Sequence, residues 1–169
     1  KAELEQDCLC YMTFEGSTVK SSRLFAGYAH EQAAKKLAQH FNVVPNYFEK
    51  IAYDKELIRE EADLIDLLDF DPSSYSTYEE AYLNYIRHTV NAQVQSTNLV
   101  LNNKVKKIFV DGGFAKNETY MQLLADAYPQ VQVYAASVSQ ATAMGAAMAI
   151  HKDWNRLELP DNVVSTRAY

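Results

Sequence analysis

The residues best suited to chemistry in this sequence lie at positions 111–117, which read Asp-Gly-Gly-Phe-Ala-Lys-Asn. Asp111, Gly112 and Gly113 follow a short apolar run that predicts a strand, and a helical pattern begins at Asn117. Paired glycines let the backbone turn sharply and let a ligand approach without a Cβ atom in the way. The helix start offers backbone N–H groups to an anion, and Asn117 can cap that helix or reach the ligand. The pattern indicates a ligand-binding turn, although a tight turn without a ligand explains the same residues.

A second candidate segment covers positions 139–147 and reads Ser-Gln-Ala-Thr-Ala-Met-Gly-Ala-Ala. Ala141, Gly145 and Ala149 recur every four residues, so they share one face of a predicted helix. Glycine inside a helix costs about 1 kcal/mol relative to alanine. Close packing against a backbone or a nucleotide would explain that cost. We expect this small-residue strip to let the helix approach the sheet closely, with ordinary helix–sheet packing as the alternative cause.

The histidines are weaker candidates. His30 and Glu31 do not belong to a His-Glu-x-x-His zinc motif, because position 34 is alanine. We therefore expect His30 to lie on the surface of a helix. His88 and His151 stand alone in the sequence, and we expect structural or solvated side chains at both positions.

Two further polar features could meet a ligand. Asp69 and Asp71 could bind a metal together with Glu80, but a solvated turn is the expected alternative. Lys116 could touch a phosphate, but a lysine beside a helix cap is expected to point into solvent.

The last third of the chain alternates between predicted strands and helices. The pattern predicts strands at 107–110 and 131–134, and helices at 117–128 and 141–151. This β-α-β-α order implies parallel strands with helices across them. Ligands bind at the carboxyl ends of such strands, which is where the paired glycines fall.

The first part of the chain predicts a hairpin followed by helices. Strands at 8–14 and 19–25 flank a turn at 15–17. Helical composition covers 29–41, with Asn42 and Pro45 ending the helix, and a shorter helix begins near Asn46. We assign no structure to the acidic stretch 54–70.

A long helix is predicted before the glycine motif. Ser76 or Thr77 caps it, and Glu79 or Glu80 takes the capping-box position. The helix stops at Asn102-Asn103. Its apolar residues recur at gaps of three and four and share one face: Leu83, Ile86, Val90, Val94, Thr97 and Leu101.

Composition and charge limit the function classes. Hydrophobic residues make up 48% of the 169 residues, so the chain should form a globular core. A net charge of -6 argues against a nucleic-acid binder and against a polybasic membrane binder. The start of the sequence shows no signal-peptide pattern. Cys8 and Cys10 are expected as reduced thiols on one strand face, which fits a reducing cytoplasm.

Taken together, the two glycine-containing segments resemble the C-terminal domain of the FGGY family of carbohydrate kinases. Positions 111–117 are similar to the family's Asp-Gly-Gly-x-x-x-Asn adenosine motif, and 140–147 to its Glu-Ala-Thr-Ala-Leu-Gly-Ala-Ala stretch. The resemblance covers residues 77–151. Gln140 replaces the usual Glu, so any ion pair that the family makes there is in doubt, and Met144 replaces the usual Leu.

The resemblance implies a fold and a task. The fold is α/β, an actin-like (ribonuclease H-like) ATPase domain with a mixed sheet, an N-terminal hairpin and helices on the faces. Gly112, Gly113, Asn117 and Gln140 would bind the adenosine side of ATP or ADP. Mg²⁺ would be held mainly by the phosphates and by an N-terminal domain, which also carries the sugar and the catalytic base. The family's Asp-x-Gly-Thr motif is absent here, so no catalytic residue is transferred.

We therefore expect residues 1–156 to be the nucleotide-binding domain of a longer, cytoplasmic sugar kinase, with 157–169 as a surface tail. The segment 21–28 is similar to the rhamnulokinase or fuculokinase side of the family. Expected partners are ATP and, through the other domain, a small sugar, with neither nucleic acid nor membrane; a homodimer stays open. The alternatives are another actin-like ATPase, a Rossmann-type dinucleotide module and an interaction domain that has lost nucleotide binding. The second predicted strand ends in Ala135-Ala136 without the acidic residue that a Rossmann site requires.

Overall fold

The structure is a computed structural model that describes residues 2–5, 7–13, 15–60, 64–137, 141–159 and 164–169. The helices of this part of the chain are α1 Ala2–Glu5, α2 Ala26–Phe41, α3 Tyr78–Asn98, α4 Glu118–Ala127, α5 Ala141–Ala149 and α6 His151–Trp154. The strands are β1 Cys8–Met12, β2 Thr18–Ser22, β3 Lys107–Val110, β4 Gln132–Ala136 and β5 Thr166–Ala168. None of these helices combines the length and the apolar composition that a membrane crossing requires.

The predicted N-terminal hairpin is confirmed. Strands β1 and β2 pair antiparallel, with Cys8 opposite Ser22 and Met12 opposite Thr18. Both strands are shorter than the pattern predicts, and Phe14 lies outside the described residues. Cys8 is buried and Cys10 is exposed, and both thiols are free.

The C-terminal sheet contains the predicted parallel pair. Strand β3 pairs with β4 in parallel, and β5 pairs with the other edge of β4 in antiparallel. This sheet is mixed, as expected, and the hairpin forms a separate two-stranded sheet in the described residues. The α/β class is confirmed. The residues of β5 are exposed, yet they extend the sheet rather than forming an unpaired tail.

Helix α3 is the central element of the core. Its N-cap is confirmed, since Thr77 Oγ1 accepts from the Glu80 N–H at 3.2 Å and Glu80 Oε2 accepts from the Ser76 N–H at 3.0 Å. The helix ends at Asn98, earlier than predicted. The residues of α3 that are buried are Tyr78, Ala81, Tyr82, Leu83, Asn84, Tyr85, Ile86, Thr89 and Val90.

Helices α2 and α4 pack against α3 and complete one core. Alternate residues of the sheet face this core: Ile108 and Val110 are half-buried, while Val133 and Ala135 are buried. The other face carries Phe109, which is exposed and stacks on the Tyr134 ring at 5.3 Å. The helices therefore cover one face of the described sheet.

A buried asparagine orders part of the acidic stretch whose structure the sequence left unassigned. Asn84 Nδ2 donates to the Leu57 carbonyl at 2.8 Å, and Asn84 Oδ1 accepts from the Arg59 N–H at 2.9 Å. Further along, Leu67 and Phe70 are buried in the core. Residues 61–63 lie outside the described part. A short 3₁₀ helix, Lys55–Leu57, and the side chain of Asn84 on α3 thus order the start of this stretch.

The burial of the α3 stripe can be tested with two leucines. Leu83→Ala should lower the free energy of unfolding by about 2–5 kcal/mol, because Leu83 has no exposed surface and its loss leaves a cavity. Leu157→Ala is the control, since 76% of that side chain is exposed, and the change should stay within about 0.5 kcal/mol. Urea unfolding measures both. Equal effects of the two substitutions would contradict the packing of α3.

Candidate functional site

The parallel pairing of β3 and β4 places the glycine motif at the carboxyl edge of the sheet. Val110 pairs with Ala135, and Asp111 follows directly at the end of β3. The Gly112 N–H donates to Asp111 Oδ1 at 2.6 Å, so the aspartate side chain closes the start of the turn. A single 3₁₀ turn, Phe114–Lys116, then leads into α4. The motif is therefore a connection of seven residues between a half-buried strand and a helix with one buried face.

The two glycines of the motif have different roles in the backbone. Gly112 has a φ of +79°, in the left-handed region that side chains with a Cβ rarely adopt. Gly113 has a φ of −62°, which any residue can adopt. A Cβ on Gly113 would meet no atom within 4 Å, and the residue is exposed. The turn requires glycine at position 112, whereas position 113 offers open space above its backbone.

Asn117 is the N-cap of α4, as the sequence predicts. Its Oδ1 accepts from the Tyr120 N–H at 3.0 Å. Its Nδ2 donates to the hydroxyl of Tyr82 on α3 at 2.9 Å. The side chain amide therefore already has one partner on each of its two ends. These two hydrogen bonds fix the end of the motif to α3 and to the first turn of α4.

A cavity of about 340 Å³ opens beside the motif, between α3, β3 and α4. Its wall is mixed, and polar surface slightly exceeds apolar surface. The residues that line it include Gln93, Thr97, Asp111, Phe114, Tyr120 and Leu124. Such a wall offers hydrogen-bonding groups beside apolar surface, which a small polar ligand with a flat ring can use.

The charge at the start of α4 is negative and partly compensated. Glu118 is the first residue of the helix, and its carboxylate accepts from Arg167 at 3.1 Å and from the Tyr169 hydroxyl at 3.0 Å. A carboxylate beside a helix N-terminus offsets the attraction that the helix dipole has for an anion. It can also accept hydrogen bonds from hydroxyl groups. This end of the motif is therefore better suited to a neutral, hydroxyl-bearing ligand than to a phosphate.

The expected surface position of His30 is wrong. His30 is half-buried on α2, and its Nε2 lies 3.0 Å from the Tyr82 hydroxyl. The Phe48 and Phe114 rings lie 5.0 and 5.7 Å from it. Burial lowers the pKa of His30 from its ordinary value of 6.5.

The sequence contained a signal for the position of His30. The buried residues of α2 are Ala26, Ala29, Ala33, Ala34, Leu37 and Ala38. Position 30 falls within this stripe, so it lies on the core-facing side of the helix. Small alanines on that side leave room for a larger aromatic ring between α2 and α3.

The expected close approach of the second segment to the sheet is wrong for the residues that can be described. Gly145 and Ala149 on α5 are exposed, and a Cβ on Gly145 would meet no atom within 4 Å. A helix of alanine, glycine and methionine is apolar all round, so its composition does not select one face for burial. Met148 and Ala149 instead line a second cavity of about 500 Å³ beside the hairpin turn. Gln140 lies outside the described residues.

The weaker candidates have structural partners. His151 is buried, with Nε2 2.8 Å from the Leu157 carbonyl, and His88 lies against the Phe70 ring at 5.9 Å. Asp71 accepts from the backbone and the hydroxyl of Ser73, at 3.0 and 2.7 Å. Glu80 belongs to the α3 cap described above. Within the described ranges, no group of three or more potential metal ligands comes together.

One family model of known proteins matches the region of the chain that contains the motif. Residues 78–158 match the family model of the carbohydrate kinase FGGY, C-terminal domain. The matched region is just under half of the chain and includes α3, the glycine motif and α5. No curated protein and no solved structure matches the chain. The match supports the resemblance to FGGY carbohydrate kinases, while the rhamnulokinase or fuculokinase assignment stays a prediction.

The difference between the two glycines can be measured directly. Gly112→Ala should lower the free energy of unfolding by about 1–2 kcal/mol, because alanine is strained at a positive φ. Gly113→Ala is the matched control and should change stability by less than about 1 kcal/mol, since its backbone is ordinary and its surroundings are open. Thermal unfolding of both variants tests the geometry. A larger loss for Gly113→Ala than for Gly112→Ala would contradict it.

The burial of His30 predicts a pH dependence of stability. In the unfolded chain His30 binds a proton near pH 6.5, whereas its lowered pKa keeps it neutral in the fold until the solution is more acidic. The unfolded state therefore takes up the proton first, and stability falls as the pH drops from about 7.5 to about 5.5. The glutamine of His30→Gln does not titrate, so this variant should lose less stability over this pH interval than the wild type does. Urea unfolding at several pH values measures the free energy of unfolding of both proteins. An equal loss of this free energy in both over the pH interval would contradict the prediction.

Proposed function

We propose that this chain is the ATP-binding domain of a sugar kinase of the FGGY type. The observation that carries the proposal is the match of residues 78–158 to the family's C-terminal domain, because that region includes the complete Asp111–Asn117 motif. In this proposal ATP supplies the phosphoryl group with Mg²⁺, and another domain of the kinase supplies the sugar pocket and the catalytic base. The chain alone then binds nucleotide without transferring phosphate.

Three features of the motif support an adenosine site in particular. Gly113 is exposed and has open space above it, so a flat base or a ribose can lie against its backbone. The cavity beside Asp111 has the mixed apolar and polar wall that a nucleoside requires. The Glu118 carboxylate disfavours a phosphate at the start of α4 and can accept a hydrogen bond from a ribose hydroxyl. The triphosphate would then extend away from α4, toward the other domain.

Each motif residue has a separate role in this proposal. Gly112 makes the turn, Gly113 leaves space for the ligand, and Asn117 fixes the loop from its far end. Gln140, which precedes α5 in the sequence, is proposed to bind the same nucleotide. The substrate is proposed to be a small ketose or deoxyketose.

The proposal is tested by nucleotide titration of the 169-residue chain. Calorimetry should detect binding of ADP and ATP, and Gly113→Val should weaken it at least about tenfold, or ~1.4 kcal/mol, because the side chain occupies the space of the ligand. The measurement also includes NAD, the ligand of a Rossmann-type module.

Gly27→Val is the matched control, since a Cβ on Gly27 also meets no atom within 4 Å and the residue lies on α2, outside the motif. It should bind ADP as the wild type does. Binding of NAD without a response to ATP or ADP would contradict the proposed function. Equal ADP affinity of Gly113→Val and the wild type would contradict the position of the site.

A further inference from the structure

A chain of three hydrogen bonds joins helix α2 to the glycine motif through α3. His30 Nε2 lies 3.0 Å from Tyr82 Oη, and Tyr82 Oη accepts from Asn117 Nδ2 at 2.9 Å. Asn117 Oδ1 accepts from the Tyr120 N–H at 3.0 Å. We call His30, Tyr82 and Asn117 the relay. Its first residue lies 87 positions before its last in the sequence, so only the tertiary structure brings them together.

Two bonds of the relay have a fixed direction. A backbone N–H can only donate, so the oxygen of the Asn117 amide must face Tyr120. The nitrogen of that amide then faces Tyr82 and donates to its oxygen. A buried hydroxyl proton without an acceptor is costly, so we assign the proton of Tyr82 to His30 Nε2. This assignment makes His30 neutral, with its own proton on Nδ1.

The surroundings of Tyr82 and His30 keep both side chains in these protonation states. Tyr82 is 2% exposed, and burial raises its pKa well above the ordinary value, so the phenol keeps its proton. Burial lowers the pKa of His30. The other rings within about 6 Å of the imidazole are those of Phe48, Tyr85 and Phe114, which carry no charge near neutral pH.

We propose that His30 and Tyr82 are positioning residues for the candidate adenosine site, acting through the side chain of Asn117. This inference rests on the proposed function. The relay fixes the orientation of the Asn117 amide and with it the first turn of α4. The His30 ring also touches the motif directly, because it packs edge-on against Phe114 at 5.7 Å. His30 thus supports the loop that presents Gly113 at two residues: it contacts Phe114 directly and reaches Asn117 through Tyr82.

The proposal extends the site beyond the region of the family match. His30 lies before residue 78, where the match begins, whereas Tyr82 and Asn117 lie inside it. Helix α2 therefore contributes to the shape of the motif although the match does not include it.

The experiment uses hydrogen exchange and nitrogen NMR on the 169-residue chain. Tyr82→Phe should accelerate exchange at the Tyr120 amide by about tenfold, because the Asn117 amide loses the partner that orients it. ADP affinity should fall in the same variant. Tyr128→Phe is the matched control. It removes another buried tyrosine hydroxyl, bonded to the Val94 carbonyl at 3.2 Å and to Asn98 at 3.0 Å, without touching the motif.

A pair of substitutions at position 30 separates positioning from general packing. His30→Gln keeps an acceptor near the place of Nε2, so Tyr120 protection and ADP affinity should stay close to those of the wild type. His30→Leu keeps apolar volume but removes the acceptor, so both should fall. In the wild type, the nitrogen signals of His30 should show a neutral ring with the proton on Nδ1.

The outcomes separate this inference from the proposed function. Unchanged Tyr120 exchange in Tyr82→Phe, or a proton on Nε2 of His30, would overturn the relay. Faster exchange with unchanged ADP affinity would overturn the positioning role. Faster exchange in Tyr82→Phe, together with a wild type that binds no ADP, would leave the relay in place and contradict the proposed function.

Discussion

The burial of helix α3 between α2 and α4 is the interaction on which the rest of the structure depends. Nine of its residues are buried, and they face both neighbouring helices and the loop before the helix. Apolar burial is worth roughly 25 cal/mol for each Å² removed from water, so a helix packed on several sides dominates the stability of a small core. Two of its buried polar residues bond beyond the helix, with Asn84 ordering the preceding loop and Tyr82 reaching the motif. The same helix thus supports the fold and the candidate site.

The candidate site combines a backbone position that favours glycine with a cap whose amide is bonded at both ends. Gly112 supplies a conformation that other residues rarely adopt, and Asn117 has partners at both ends of its amide. Between them, Gly113 is exposed and unobstructed. This arrangement is typical of a site in which rigid neighbours hold an open backbone surface toward a ligand. The match to a kinase domain gives that surface a proposed ligand, the adenosine of ATP.

Much of the site could be predicted because its determinants are local. The strand 107–110, the turn at the glycines and the cap at Asn117 depend on residues within a few positions of one another. The helix pattern of α3 and the hairpin at β1 and β2 are local in the same sense. The face that α5 presents could not be predicted, because alanine, glycine and methionine give a helix no preferred side. The sheet pairing of β5 is also non-local, since its partner β4 lies about 30 residues earlier.

The sequence by itself determined the hairpin, helices α2 to α5, strands β3 and β4 and the motif at the end of β3, because hydrophobic periodicity, caps and glycine turns act over short distances. Only the tertiary structure decided how the motif is supported. The alanine stripe of α2 places His30 on the core-facing side of its helix but does not name its partner, and Tyr82 is one of twelve tyrosines. Their relation to Asn117 exists because α2 packs against α3, and α3 against the loop before α4. Such contacts depend on which helix faces meet, and no local pattern along the chain specifies that.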